Sequence, residues 1–163
     1  MLHLYHTKMS MNIWIDGDAC PKPIKQILFR AAMKRLVPLS IVANHIAAIP
    51  PSPMIKRILV EPGFDSADTY ILDHVKKHDL VITSDIILAD QIIEKNAMAL
   101  NPRGVLYDRN NIKQILTMRN INESLRSSGF IQGGPAQFSA KEIQLFSNHL
   151  DRIITNHLSD RLS

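Results

Sequence analysis

Two carboxylates flank a glycine in Asp16-Gly17-Asp18, directly after the apolar run Ile13-Trp14-Ile15. A continuous apolar run ended by turn residues reads as a buried strand of a parallel sheet. In such sheets ligands lie beyond the carboxyl ends of the strands, where the strand order reverses. Asp16 and Asp18 would therefore stand on the rim that does chemistry. Either one alone can equally form an Asx-turn or cap the following helix. Further acids recur at strand ends and helix starts: Asp65, Asp68 and Asp85, with Asp90 further along its helix. Strand ends share one edge of a parallel sheet, so topology brings these groups together. Crowded carboxylates repel unless a cation holds them. Oxygen-only ligands select hard ions, Mg²⁺ or Mn²⁺. Two such ions can activate a water and stabilise the leaving oxygen in phosphodiester cleavage. Against this, Asp65, Asp68 and Asp85 each occupy positions where caps and first-turn acids belong, and Asp90 reads as a surface residue.

Other groups at the rim add less. Thr83 and Ser84 can position a phosphate or a ligating Asp, or simply cap a helix. Cys20 starts a helix, which would lower its thiol pKa. With no adjacent His it reads as a small buried residue. The seven histidines, among them His45, His74 and His78, show no ligand spacing. Arg103 follows a strand end and can reach an anion there. Gly133 and Gly134 can present backbone N–H groups to a phosphate or form a plain loop. No G-x-G-x-x-G or P-loop occurs, so no nucleotide cofactor is expected.

The elements that position these groups alternate. After the strand at 13–15, Pro21 and Pro23 suit the first turn of a helix. Its inner face carries Ile24, Ile27, Leu28 and Ala31. Val37 to Ala43 is a second strand, Asn44 to Pro53 a loop over the rim, and Arg57 to Val60 a third strand. Asp65 or Ser66 caps a second helix with Ala67, Ile71, His74 and Val75 inside. Leu80 to Thr83 is a fourth strand. Ser84-Asp85 opens a third helix that Asn96 ends in the left-handed conformation. Ala97 to Leu100 is a fifth strand, stopped by Asn101-Pro102-Arg103-Gly104. This alternation predicts an open, parallel, doubly wound α/β sheet with helices on both faces. A helical C-terminal extension follows, with short helices at Asn110–Met118 and Ile121–Ser127 and a loop at Gly129–Phe138. A capping box, Ser139-Ala140-Lys141-Glu142, then starts a helix. Its stripe of Ile143, Phe146, Leu150 and Ile153 is expected to act as a lid or homodimer face.

Bulk properties fit one domain. The chain has 163 residues, 45% of them hydrophobic and 21% charged, which excludes a disordered chain. No apolar run approaches the roughly 20 residues of a membrane helix, so no membrane partner is expected. Met1–Ser10 lacks the features of a signal peptide and reads as an N-terminal extension, with one domain over residues 11–158. A single cysteine fits a reducing cytoplasm. The net charge of +4 permits an anionic partner without requiring one. Its local concentration is Arg103, Arg109, Lys113, Arg119 and Arg126, a nucleic-acid track or a solvated face.

Several motifs now align in order: Ile15-Asp16-Gly17-Asp18-Ala19-Cys20-Pro21, Val42-Ala43-Asn44, Gly63-Phe64-Asp65-Ser66-Ala67-Asp68, Val81-Ile82-Thr83-Ser84-Asp85, Ala99-Leu100-Asn101-Pro102-Arg103-Gly104 and Gly133-Gly134-Pro135. Together they resemble the bacterial YaiI/YqxD family over residues 11 to about 155. That family is similar to PIN and NYN domains, metal-dependent ribonucleases of three-layer fold. There an Asp ends the first strand, a second acid lies on a mid-chain helix, and a third follows in a Thr-x-Asp after a later strand. The resemblance implies Asp16, Asp68 and Asp85 as ligands of Mg²⁺ or Mn²⁺, and RNA as substrate. Asp18 and Asp65 are extra acids of the family pattern. The expected catalytic set is Asp16, Asp18, Asp68 and Asp85, with Asn44, Thr83, Ser84 and Arg103 as substrate-binding positions. Thr69 and Asn96 depart from the family pattern, where Asp and Gly are expected. Two other readings stand beside it. One is a phosphatase of haloacid dehalogenase type using Asp16 and Asp18, for which the later lysine and acidic pair are missing. The other is a non-catalytic module that binds a metal or nucleic acid.

Overall fold

The computed structural model describes residues 10–63, 66–129 and 138–162, the last with side chains through Ser159. Six strands form one sheet in the order β3-β2-β1-β4-β5-β6. They are β1 (Ile13–Asp16), β2 (Leu39–Ala43), β3 (Ile55–Leu59), β4 (Leu80–Ile82), β5 (Met98–Leu100) and β6 (Leu106–Tyr107). The helices are α1 (Lys22–Arg35), α2 (Ser66–His74), α3 (Ile86–Glu94), α4 (Ile112–Ser127) and α5 (Ala140–Leu162). β1 to β5 are parallel, with Ile15 opposite Ile41 of β2 and Ile82 of β4. The chain leaves β1 toward β2 and β3, then crosses back to β4 on β1's other side. The strand order therefore reverses between β1 and β4.

Alternation along the strands separates two cores. Ile13, Ile15, Ile41, Ile82 and Leu100 pack with Ile24 and Leu28 of α1 and Phe146 and Leu150 of α5. Trp14, Val42, Val81 and Ala99 pack on the opposite face with Ile71 of α2, Ala89 and Ile92 of α3, and Ile112 of α4. Central strands buried on both faces cannot show a polar alternation, which is why they read as unbroken apolar runs. Met11 is also in the core, so the fold is under way at the first residues of the expected domain.

Four local features follow from residue chemistry. Pro21 stands at the N-cap of α1, where a missing N–H costs no helix bond. Asn96 has φ +63°, the left-handed turn expected of it after α3. Ser139 and Glu142 form the reciprocal capping box at α5. The edge strand β3 presents Lys56 and Arg57 to solvent, side chains that discourage edge-to-edge pairing.

β1 to β5 form the parallel sheet expected. A sixth strand not expected from the sequence, β6, joins it by pairing with β5 in antiparallel fashion. The cause is the tight turn at Asn101–Val105, where Asn101 N–H donates to Val105 O at 2.8 Å and Gly104 takes φ +94°. The two short helices expected after residue 110 are one continuous helix, α4, because Arg119, Asn120 and the residues around them carry no breaker. The apolar stripe of α5 is neither lid nor free dimer face. Phe146, Leu150, Ile153 and Ile154 are spent on the core over α1. Expectations for residues 1–9, for Asp65 and for Gly133-Gly134-Pro135 concern residues outside those described. Among the described residues no helix is long and apolar enough to cross a membrane.

Candidate active site

Asp16 is the last residue of β1, and Thr83 directly follows β4. These are the two strands between which the order reverses. Thr83 Oγ1 donates to Asp16 Oδ2 at 3.1 Å, in a buried bond. The same hydroxyl accepts the backbone N–H of Asp85 at 3.0 Å. Asp85 is the N-cap of α3, its Oδ1 accepting from Ile87 N–H at 2.9 Å and Leu88 N–H at 3.3 Å. A Thr-Ser-Asp sequence thus ties a helix cap to the Asp of the neighbouring strand through one hydroxyl.

Gly17 lets the chain turn close against β2. Its N–H donates to Val42 O at 2.8 Å. A Cβ built there would lie 2.7 Å from Ile41 Cγ1. Hugging β2 carries Asp18 to the start of the next rim loop. There its carboxylate accepts the Asn44 N–H, at 3.1 Å and 3.3 Å to the two oxygens. His45 Nδ1 lies 3.0 Å from Asp18 Oδ1.

Burial pushes the Asp16 carboxyl above its ordinary pKa. The Thr83 hydroxyl opposes that shift, and the charges of Asp18 and Asp85 add to it. Asp16, Asp18 and Asp85 are therefore electrostatic neighbours, as rim topology predicts. Asp68, in the first turn of α2, stands with Thr69, Ser84 and Asp85 on the wall of a cleft of about 630 Å³. The cleft runs between α2, α3 and α4, and Arg119 is on its far side. Among the described residues no three His, Cys, Asp or Glu side chains close into a metal cage.

Other expected site residues have identifiable tasks. Arg103 Nη1 donates to both Glu142 oxygens at 3.0 Å, and its guanidinium covers the Phe138 ring at 4.3 Å. It thus clasps the β5–β6 turn to the start of α5. Asn44 contributes its backbone N–H to Asp18, and Ser84 is exposed at the cleft. Asp90 pairs with Lys113 at 2.7 Å on the surface. Arg109 reaches Glu94, and Arg119 reaches Glu123, so much of the local basic excess meets nearby acids. The helix start does not lower the Cys20 thiol pKa. Burial dominates and pushes it up to about 12. His45 has no ligand spacing to mark it in the sequence, yet it follows a strand end on the same rim.

The sequence profile of a family described as "Uncharacterized BCR, YaiI/YqxD family" matches residues 14–156. The chain belongs to the YaiI/YqxD family. Its relatives include a UPF0178 protein of Shewanella sp. (strain MR-7), 58% identical over 140 residues, 86% of this chain and 92% of that one. Another, from Shewanella baltica (strain OS223), is 59% identical over 86% of this chain and 93% of its own. A third, from Maridesulfovibrio salexigens, is 55% identical over 91% of this chain and 99% of its own. No solved structure matches. The YaiI/YqxD chain thus matches these relatives along nearly their whole length.

Proposed function

We propose that this YaiI/YqxD protein is a Mg²⁺- or Mn²⁺-dependent hydrolase of RNA phosphodiesters, working at the reversal point between β1 and β4. The observation that carries this reading is Asp16 at that point, buried and bound to Thr83 Oγ1 at 3.1 Å, with the charges of Asp18 and Asp85 adding to a setting that disfavours its own. A cation relieves that cost. The donor set suits Mg²⁺, which keeps most of its waters and needs only one or two carboxylates beside the substrate's own phosphate. A closed protein cage is therefore not required. Asp16 and Asp85 would be the principal ligands, with Asp68 reaching in from the cleft wall. What the cation supplies when bound is charge on the phosphate and a more acidic water.

The chain's own groups prepare the site. Thr83 fixes one Asp16 oxygen by donating to it. The cap bonds fix Asp85 Oδ1 and so the plane of its carboxylate. Asp18, pinned to Asn44 N–H, orients the attacking water. The PIN-like resemblance supports the same order of acids.

The test is full-length protein against single-stranded and structured RNA, with Mn²⁺ or with EDTA. Asp85→Asn is the informative variant. Asn caps a helix as well as Asp does, so the fold is kept while the charge is lost. Cleavage should fall to the EDTA level, while much of the RNA binding persists and weakens with salt. Undiminished cleavage in Asp85→Asn would sink the proposal. The second reading is a non-catalytic metal- or nucleic-acid-binding module. It is favoured by the lack of a preformed cage among the described residues. A metal-dependent rise in Tm with no turnover on any RNA would select it. The phosphatase reading gains nothing at the end of β5, where Arg103 is bound to Glu142.

A further inference from the structure

We infer that His45, held by Asp18, is the base that takes the proton of the attacking water. This rests on the hydrolase reading above and assigns the proton it leaves unplaced. Asp18 comes from the turn after β1 and His45 from the loop after β2, adjacent strands whose ends share the rim. His45 Nδ1 and Asp18 Oδ1 are 3.0 Å apart. A carboxylate oxygen only accepts, so Nδ1 carries the hydrogen and donates it. The lone pair of the neutral ring is then on Nε2. Asp18 cannot swing away easily, because the Asn44 N–H next to His45 also binds it. A carboxylate that fixes the tautomer and supports the imidazolium is the pairing that makes a histidine an effective base.

The surroundings suit the task. The His45 side chain is 54% exposed, so water reaches it. A hollow of about 280 Å³ opens beside the ring, lined by Ile46, Arg57 and Leu59 as well as His45. Arg57 braces this loop through Nη1 to Ala47 O at 3.1 Å and brings a cation to the same hollow. An anionic diester strand passing over Asp16 would find a positive charge there.

The step balances. A proton passes from water to His45 Nε2 as the water oxygen bonds to phosphorus. The bond from phosphorus to the leaving oxygen breaks, its electron pair stays on that oxygen, and solvent protonates it. The imidazolium then returns its proton to solvent. One water is consumed per bond cut, and nothing is oxidised or reduced. His45 is thus a catalytic residue, and Asp18 orients the attacking water only through it, as a positioning residue.

The experiment compares wild type, His45→Ala, His45→Gln and Asp18→Asn in the RNA assay with Mn²⁺, each variant first checked by circular dichroism and melting. His45→Ala should lower kcat by roughly 10²-fold or more, with KM little changed. Free imidazole in the buffer should restore part of the lost rate. Nitrogen-15 NMR of the free protein, without metal or RNA, should show His45 protonated at Nδ1 in wild type and a shifted tautomer balance in Asp18→Asn. Wild-type kcat in folded His45→Ala overturns the assignment and leaves the hydrolase reading standing. So does a loss in both His45 variants that imidazole does not relieve, or a wild-type ring protonated at Nε2 alone. Wild-type protein that cuts no RNA overturns the hydrolase reading, and this step with it.

Discussion

The Thr83 hydroxyl donates to Asp16 Oδ2 at 3.1 Å, linking the ends of the two strands between which the sheet reverses direction. A buried donor of this kind lowers the Asp16 pKa, yet burial still leaves it raised. Between the ordinary value of 3.8 and the raised one, the folded chain holds a proton that the unfolded chain has released. Stability is then lost as pH rises through this window, and it stays lower above it. Asp16→Asn removes the titration while keeping an oxygen that can accept from Thr83. Its Tm in metal-free buffer should therefore exceed wild type at neutral pH, and the gain should vanish in acid. A variant less stable than wild type at pH 7 would show that the charge is not the dominant cost.

The same bond can be removed from the other side. Thr83→Val keeps the shape and deletes the hydroxyl, leaving Asp16 without its donor and Asp85 N–H without its acceptor. A loss of about 1–3 kcal/mol is expected in urea unfolding. Mg²⁺ or Mn²⁺ at a hundred times its Kd should add about 2.7 kcal/mol to the wild type by linkage, and little to Asp16→Asn. An identical metal response in both proteins would place the ion elsewhere.

Gly17→Ala tests the close approach that delivers Asp18 to its partners. The new Cβ would meet Ile41 Cγ1 at 2.7 Å and Val42 O at 3.1 Å, and the backbone oxygen cannot give way cheaply. Destabilisation of about 1–3 kcal/mol is expected. The His45 ring resonances should move as well, because the Asp18 turn shifts with the chain. Wild-type stability and unchanged resonances would contradict the packing argument.

Asp79 is the control acid. It is 4% exposed and lies at the opposite, amino-terminal edge of the sheet. It accepts from Asn12 N–H at 3.0 Å, Trp14 Nε1 at 3.0 Å and Lys76 N–H at 2.9 Å. Asp79→Ala leaves three donors unmatched and should cost about 3 kcal/mol or more. Below its lowered Tm, RNA cleavage per folded molecule should stay at the wild-type rate. A selective loss of turnover would mean that the site extends through the sheet.

Cys20 offers a probe of the first core. Its thiol, pushed up to about 12 by burial, stays protonated at pH 8, and only the thiolate reacts fast. Labelling by a thiol reagent should be far slower in native protein than in urea, and should follow the opening of the fold. Rapid native labelling at the rate of a free thiol would contradict the burial of this helix start.

Most elements of this fold are determined by local sequence. Unbroken runs such as Ile13-Trp14-Ile15 and Leu80-Val81-Ile82, bounded by turn residues, read as central strands, and Pro21, Asn96 and the Ser139–Glu142 box mark helix ends by their own backbone chemistry. The rim acids Asp16, Asp18 and Asp85 are equally legible, because parallel topology carries every strand end to one edge. Distances between elements are not encoded locally. That Thr83 would donate to Asp16 depends on β4 lying beside β1, and that His45 would meet Asp18 depends on β2 lying on its other side. Arg103 stands in a turn at a strand end, and only the packing of α5 brings Glu142 and Phe138 to it. The stripe of α5 looked like an outer surface because periodicity gives the apolar face of a helix and not the partner that covers it. That partner is α1, more than a hundred residues earlier in the chain, and only packing of the whole core decides the match.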